Sequence, residues 1–185
     1  MDEEGHWDRV YRSKKATDVS WYQLSPNESL RRIRGLGDAS ARIVDVGAGA
    51  SLLVDALLDA GYRQPIVVDI SAAALDCAKE RLGARSDLVQ WLVADVTKAP
   101  SLPEVDIWHD RAVLHFLTAP SDQRAYAELA ARTIRKGGHA VIATFAPSLL
   151  VTCGAARRAG RLRSSGRNAP SRDRGPIDGM SFKIS

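Results

Sequence analysis

Short, nearly continuous apolar runs alternate along this chain with stretches whose apolar positions recur every three or four residues. The first kind comprises RIVDVG (42–47), PIVVDIS (65–71), LVQWLVAD (88–95), VDIWHD (105–110) and HAVIATF (139–145). Each is short and rich in β-branched residues, the pattern of a strand buried on both faces. The second kind comprises SPNESLRRIRGLG (25–37), SLLVDALLDAG (51–61), AAALDCAKERLG (72–83), RAVLHFL (111–117) and SDQRAYAELAARTIRKGG (121–138). These predict helices, and their ends carry the expected punctuation. Ser25 is placed to cap the first helix, Pro26 suits its first position, Glu28 can reach back to the cap, and Gly35 or Gly37 can stop it. Ser71 and Gly83 bracket the third helix. The last helix starts acidic and ends basic, as the helix dipole favours. Strands alternating with helices predict right-handed βαβ crossovers and an α/β fold with a doubly wound, mostly parallel sheet covered on both faces.

The alternation stops after Pro147. Residues 148–185 hold eight Lys/Arg against two Asp/Glu, which leaves 18 against 20 in residues 1–147. The net charge of +4 therefore belongs to the tail, while the body is mildly acidic. Apart from SLLVTC (148–153), the tail offers little apolar material to bury and is expected to lack structure. Two regions follow: a globular domain over 1–147, with 1–24 as a lead segment, and a basic tail over 148–185. No apolar run is long enough to span a bilayer, and MDEEGHWDRV is too acidic for a secretory leader. Cys77 and Cys153 read as free thiols, which suits a cytoplasmic protein.

The chemistry concentrates at the strand ends. VDVGAGAS (44–51) puts an acid before two glycines at the first of them. A P-loop would need Gly-x-x-x-x-Gly-Lys-Ser/Thr, which is absent. The dinucleotide fingerprint would need a small residue where Leu52 stands. Asp45 is also a poor neighbour for a pyrophosphate and a good one for a ligand carrying positive charge. Asp69 ends the second strand, twenty-two residues after Gly47, where an acid can accept from both ribose hydroxyls. Asp95 ends the third, placed to meet an amino group on a base. Together Asp45, Gly47, Gly49, Asp69 and Asp95 describe a site for adenosine without phosphates. Each also has a plainer reading: a glycine after a strand can be only a turn, and an acid there only a cap or a solvated charge.

With this ordered set, the chain resembles the class I S-adenosylmethionine-dependent methyltransferases over about residues 5–147. VDVGAGAS looks like the family's first motif, with Ser51 in place of its last glycine. VVDIS looks like the ribose-binding strand end and ADVT (94–97) like the adenine-contacting one, which adds Ile70 and Val96 to the cofactor set. The resemblance implies a Rossmann-like sheet and S-adenosylmethionine as cofactor. It places Asp110 and His115 beside the cofactor as well. HWDRVY…SWYQ (6–23) is similar to the Trp-Asp-x-x-Tyr…Trp-Tyr lead of a subgroup that includes protein-lysine methyltransferases. The family's sheet is completed after the fifth strand by a helix and an antiparallel hairpin. Nothing in 148–185 reads as that hairpin, so strand five is expected to present an open edge that invites self-association.

Methyl transfer needs an acceptor lone pair held in line with the methyl, and an ammonium acceptor must first lose its proton. His109, Asp110 and Arg111, at the carboxyl end of the fourth strand, lie where ligands bind in open α/β sheets. Asp110 can hold an acceptor amine or take its proton, with His109 beside it as the second catalytic candidate. Arg111 can bind a carboxylate or pair with Asp110. By pattern alone His115 reads as a partly buried core histidine. Trp7, Tyr11, Trp21 and Tyr22 can form an aromatic lid or simply pack the lead segment on the sheet. Trp91 and Trp108 read as core. The histidines at 6, 109, 115 and 139 show no metal-binding spacing, so no metal is expected.

Three functions remain open. The leading one is methyl transfer to a protein side chain or a small polar metabolite. The second is a catalytically impaired cofactor-binding remnant. The third, nucleic-acid binding through the Arg-rich tail, is disfavoured because the tail interleaves no aromatics beyond Phe182. No membrane partner is expected.

Overall fold

The computed structural model describes residues 5, 8–9, 26–111, 113–144 and 181–184. Five parallel strands form the sheet: β1 (Ile43–Val46), β2 (Ile66–Asp69), β3 (Gln90–Val93), β4 (Val105–Arg111) and β5 (Ile134–Thr144). A sixth, β6 (Ser181–Ile184), runs antiparallel to β5, and the order across the sheet is β3-β2-β1-β4-β5-β6. The helices are α1 (Asn27–Arg34), α2 (Leu53–Asp59), α3 (Ala72–Leu82), α4 (Val113–Phe116) and α5 (Pro120–Thr133). A 3₁₀ turn spans Gly83–Leu88. Chain order reverses between β1 and β4, so a crevice opens at the carboxyl ends of these two strands.

Burial explains why the strands read as unbroken apolar runs. All four residues of β1 and of β2 are buried. On one face Ile43, Ile107 and Val141 pack with Ile33 of α1 and with Leu53 and Leu57 of α2, and Val67 packs with Leu75 of α3. On the other, Val44, Val46, Val68 and Trp108 pack with Tyr126 and Leu129 of α5. β1 pairs with β4 in the register Val44↔Trp108, Asp45↔His109 and Val46↔Asp110. Asp45 and His109 therefore share the α1–α2 face, while Asp110 faces α5.

Several local expectations hold and several are corrected. Ser71 caps α3 by accepting from the Ala74 N–H at 3.2 Å, and Gly83 ends that helix at φ +57°. Ser51 Oγ accepts from the Leu53 N–H at 3.1 Å, at the entry to α2. Glu28 does not reach back to a cap. Its carboxylate turns forward to Arg31 and Arg32, at 2.7 Å each, because two guanidiniums one turn away outcompete a single N–H. The stretch IRKGG belongs to β5 rather than to the preceding helix. Ile134 pairs with Val105, a register shift follows, and Gly137 carries it at φ +82°.

The C-terminal expectation also changes. Ser181–Ile184 lies along Val141–Thr144, so the β5 edge is covered over those residues rather than open for self-association. The sequence Ser-Phe-Lys-Ile alternates polar and apolar residues with the period of a strand. This signal is lost when only the tail's average composition is weighed. Trp7, Tyr11, Trp21, Tyr22, Cys153 and the rest of the tail lie outside the described residues. Among the described residues no helix is long and apolar enough to cross a membrane.

Candidate cofactor site at the glycine turn

β1 ends at Val46 and the chain turns at once. Gly47 and Gly49 adopt φ of +62° and +51°, the left-handed region that side chains with a Cβ resist. A Cβ on Gly47 would also lie 1.8 Å from Val113 Cγ2, so the turn packs directly on the start of α4. The turn is tied to the neighbouring strand end. The Gly47 N–H donates to the Val68 carbonyl at 2.7 Å, and the Gly49 N–H to Asp69 Oδ2 at 2.7 Å.

Asp69 is the hub of this edge. Its Oδ1 accepts from the Ser71 N–H at 2.8 Å, and its carbonyl accepts from the Ala94 N–H at 2.9 Å, which brings in the end of β3. It is 7% exposed, and burial pushes its pKa up to about 6, against the pull of the Ser71 and Gly49 N–H groups and with a push from Asp45. Ser71 Oγ in turn donates to Asp8 at 2.5 Å, so Asp8 is tied to the same corner. Asp95 is half-buried. It accepts from the Thr97 N–H and hydroxyl at 2.9 and 2.6 Å and pairs with Lys98 at 2.7 Å. Burial raises its pKa, but the Lys98 and Thr97 contacts outweigh that and hold it below the usual value.

Asp45 is 2% exposed. Its Oδ1 lies 2.7 Å from His109 Nδ1, and His109 Nε2 lies 2.9 Å from Ser29 Oγ of α1. Its Oδ2 is buried with no hydrogen-bond partner among the described residues. A buried carboxylate oxygen left in this state is costly unless a donor arrives. It fits a cationic ligand group and does not fit a pyrophosphate. Three carboxylates, two left-handed glycines and one orphaned acceptor thus meet at the carboxyl edge of β1, β2 and β3.

The residues expected to do the chemistry sit elsewhere. Asp110 is completely buried. It accepts from the Val113 and Leu114 N–H groups at 2.7 and 3.0 Å and from the Tyr126 hydroxyl at 2.6 Å, and Tyr126 in turn accepts from Trp108 Nε1 at 2.9 Å. Burial raises its pKa against these three donors. Asp110 therefore caps α4 and cannot hold an acceptor amine. His109 is 1% exposed and touches Asp45 and Ser29 rather than an acceptor, which corrects its place as a catalytic candidate. Both corrections have one cause: β4 is a central strand covered on both faces. Arg111 is half-buried at the end of β4. His115 is exposed rather than partly buried and meets the Phe116 ring edge-on at 5.5 Å, because α4 turns Val113 and Leu114 to the core and leaves His115 and Phe116 outside. Val96 is buried in the α5-side core and Ile70 is half-buried. Trp108 is core as expected. Trp91 is half-buried, with its Nε1 on the Ser86 carbonyl at 3.0 Å.

Sequence comparison places this arrangement among known proteins. Residues 44–142, more than half of the chain, match the family described as "Methyltransferase domain". A mouse protein, "eEF1A lysine and N-terminal methyltransferase", is 27% identical over 95 residues, covering 50% of this chain and 13% of its own length. Two solved structures share the fold. The "DhpI-SAM-HEP complex" has a TM-score of 0.65 at 16% identity, covering 79% of this chain and 65% of that one. The N-methyltransferase NodS from Bradyrhizobium japonicum, in complex with S-adenosyl-l-homocysteine, has a TM-score of 0.61 at 18% identity, covering 75% and 73%. The chain thus spans a small part of the mouse protein and just under two thirds of the first structure. The matched segment runs from β1 through β5 and contains the glycine turn, Asp69 and Asp95. On that match, the chain belongs to the class I methyltransferases, whose cofactor is S-adenosylmethionine.

Proposed function

We propose that this chain moves a methyl group from S-adenosylmethionine to a nitrogen on a protein side chain or a small polar metabolite. The observation that supports it most is the joined unit of Asp45, the left-handed glycine turn and Asp69, with Asp45 Oδ2 buried and unpartnered. Asp69 has lone pairs left for ribose hydroxyls, Asp95 faces the base, and Asp45 Oδ2 accepts from the ammonium of the cofactor's amino-acid end. Bound there, the cofactor supplies a methyl group already activated on a sulfonium. The chain's remaining task is to hold the acceptor and take its proton. With His109 and Asp110 buried, the exposed imidazole of His115 is the candidate for that proton. The mouse relative's name, a lysine and N-terminal methyltransferase, supports an amine acceptor.

The test is transfer of labelled methyl from S-adenosylmethionine to protein substrates and to small polar amines. The proposal expects label in one acceptor class, reduced in Asp69→Ala through weaker cofactor binding and strongly reduced in His115→Ala. Cofactor binding without transfer to any acceptor would favour a binding domain without turnover.

A further inference from the structure

Ser29, His109 and Asp45 form a continuous buried chain of hydrogen bonds, at 2.9 and 2.7 Å, between helix α1 and the last turn of β1 before the glycines. The three are 2%, 1% and 2% exposed. The distances match those of a nucleophilic triad. Burial excludes that use, because an acyl substrate cannot reach a serine on the buried face of α1. What the chain of bonds does do is orient Asp45. A carboxylate only accepts, so His109 Nδ1 is the donor to Oδ1. Ser29 Oγ satisfies Nε2 whether the ring donates or accepts there, because a hydroxyl does both. The ring is thereby fixed at both nitrogens, and the carboxylate is fixed by the ring. Oδ2 is left over in a set orientation at the edge where the glycine turn begins.

We propose that Ser29 is a positioning residue for the cofactor: acting through His109, it holds Asp45 Oδ2 ready for the ligand's ammonium. The inference rests on the cofactor site proposed above. It makes a demand that a packing role does not. Only ligands that carry the ammonium depend on Ser29. S-adenosylhomocysteine carries the ammonium, and 5′-methylthioadenosine has the same adenosine and sulfur without it.

The experiment compares both ligands by calorimetry on the full chain, as parent, Ser29→Ala and Ser29→Thr. Loss of a hydrogen bond that orients a charged group predicts about tenfold weaker S-adenosylhomocysteine binding in Ser29→Ala. 5′-Methylthioadenosine should stay within about twofold of the parent, since none of its groups reaches Asp45, and Ser29→Thr, which keeps the hydroxyl, should restore the first ligand. Equal weakening of both ligands, or of neither, overturns the inference. A parent that binds neither ligand sinks the cofactor reading itself. The inference is still decided then by a crystal structure of ligand-free Ser29→Ala. There His109 or Asp45 should rotate from the parental arrangement, and an Asp45–His109 pair left unmoved overturns it.

Discussion

Gly47→Ala tests how the glycine turn is built. Two costs add at this position. The residue sits at φ +62°, where a Cβ costs about 1–2 kcal/mol. The new methyl would also lie 1.8 Å from Val113 Cγ2 and 3.3 Å from Val113 Cβ. Forcing α4 aside to relieve that overlap costs about 1–3 kcal/mol more. The sum, roughly 2–5 kcal/mol, lowers the midpoint of a domain of this size by on the order of 10 °C. A double-mutant cycle separates the two costs. Val113→Ala removes Cγ2 and leaves a tight but tolerable 3.3 Å contact. Gly47→Ala should therefore be milder in the Val113→Ala background by about 1–3 kcal/mol, with only the backbone cost remaining. Urea unfolding of the four proteins, followed by far-UV circular dichroism, reads each value. Equal cost in both backgrounds would refute the contact between turn and α4, and with it the view that α4 buttresses the cofactor edge.

Other consequences follow from the buried carboxylates. Asp110→Ala strands two N–H groups and the Tyr126 hydroxyl, and should cost about 2–4 kcal/mol in urea unfolding; a neutral result would show that α4 does not need its cap. Tyr126→Phe, which keeps the ring but unlinks Trp108 from Asp110, should cost about 1–3 kcal/mol by the same measurement. Asp69 binds its proton more tightly folded, with a pKa of about 6, than in an unfolded chain. Its contribution to stability is therefore full below about pH 4 and is lost as the pH rises through about 6. Relative to Asp69→Asn, the ligand-free parent should lose stability across that window, and a constant difference between the two would contradict the burial argument. Cofactor binding, which uses the ionised carboxylate as acceptor, should tighten over the same window.

The sheet and the acidic strand edge with its glycine turn were legible in the sequence because each depends on local signals. Strands buried on both faces leave unbroken apolar runs, and a strand end followed by glycine locates a turn to within a residue. The places of Asp45, Gly47, Gly49, Asp69 and Asp95 at or just after the strand ends were read this way. The roles of His109 and Asp110 were not, because sequence gives the end of β4 but not what covers it. Asp110 meets Tyr126 from a helix sixteen positions on, and His109 meets Ser29 eighty positions back. One signal for Ser29 was present: it stands four residues before Ile33, a polar residue on the buried side of α1. The end of α5 was misjudged because Ile-Arg-Lys-Gly-Gly suits a basic helix end as well as the start of a bulged strand. β6 was missed because four alternating residues lie in a tail dominated by arginine.

On the reading proposed above, the acidic edge around Asp45, the glycine turn and Asp69 holds an adenosine ligand bearing positive charge. Calorimetric titration of the chain with S-adenosylmethionine, and separately with nicotinamide dinucleotides, tests it most directly. S-adenosylmethionine should bind one-to-one, weakened by about 1.5–3 kcal/mol in Asp69→Ala through loss of a charged acceptor, and the dinucleotides should not bind. Dinucleotide binding in preference to S-adenosylmethionine, or S-adenosylmethionine binding indifferent to Asp69→Ala, would contradict it.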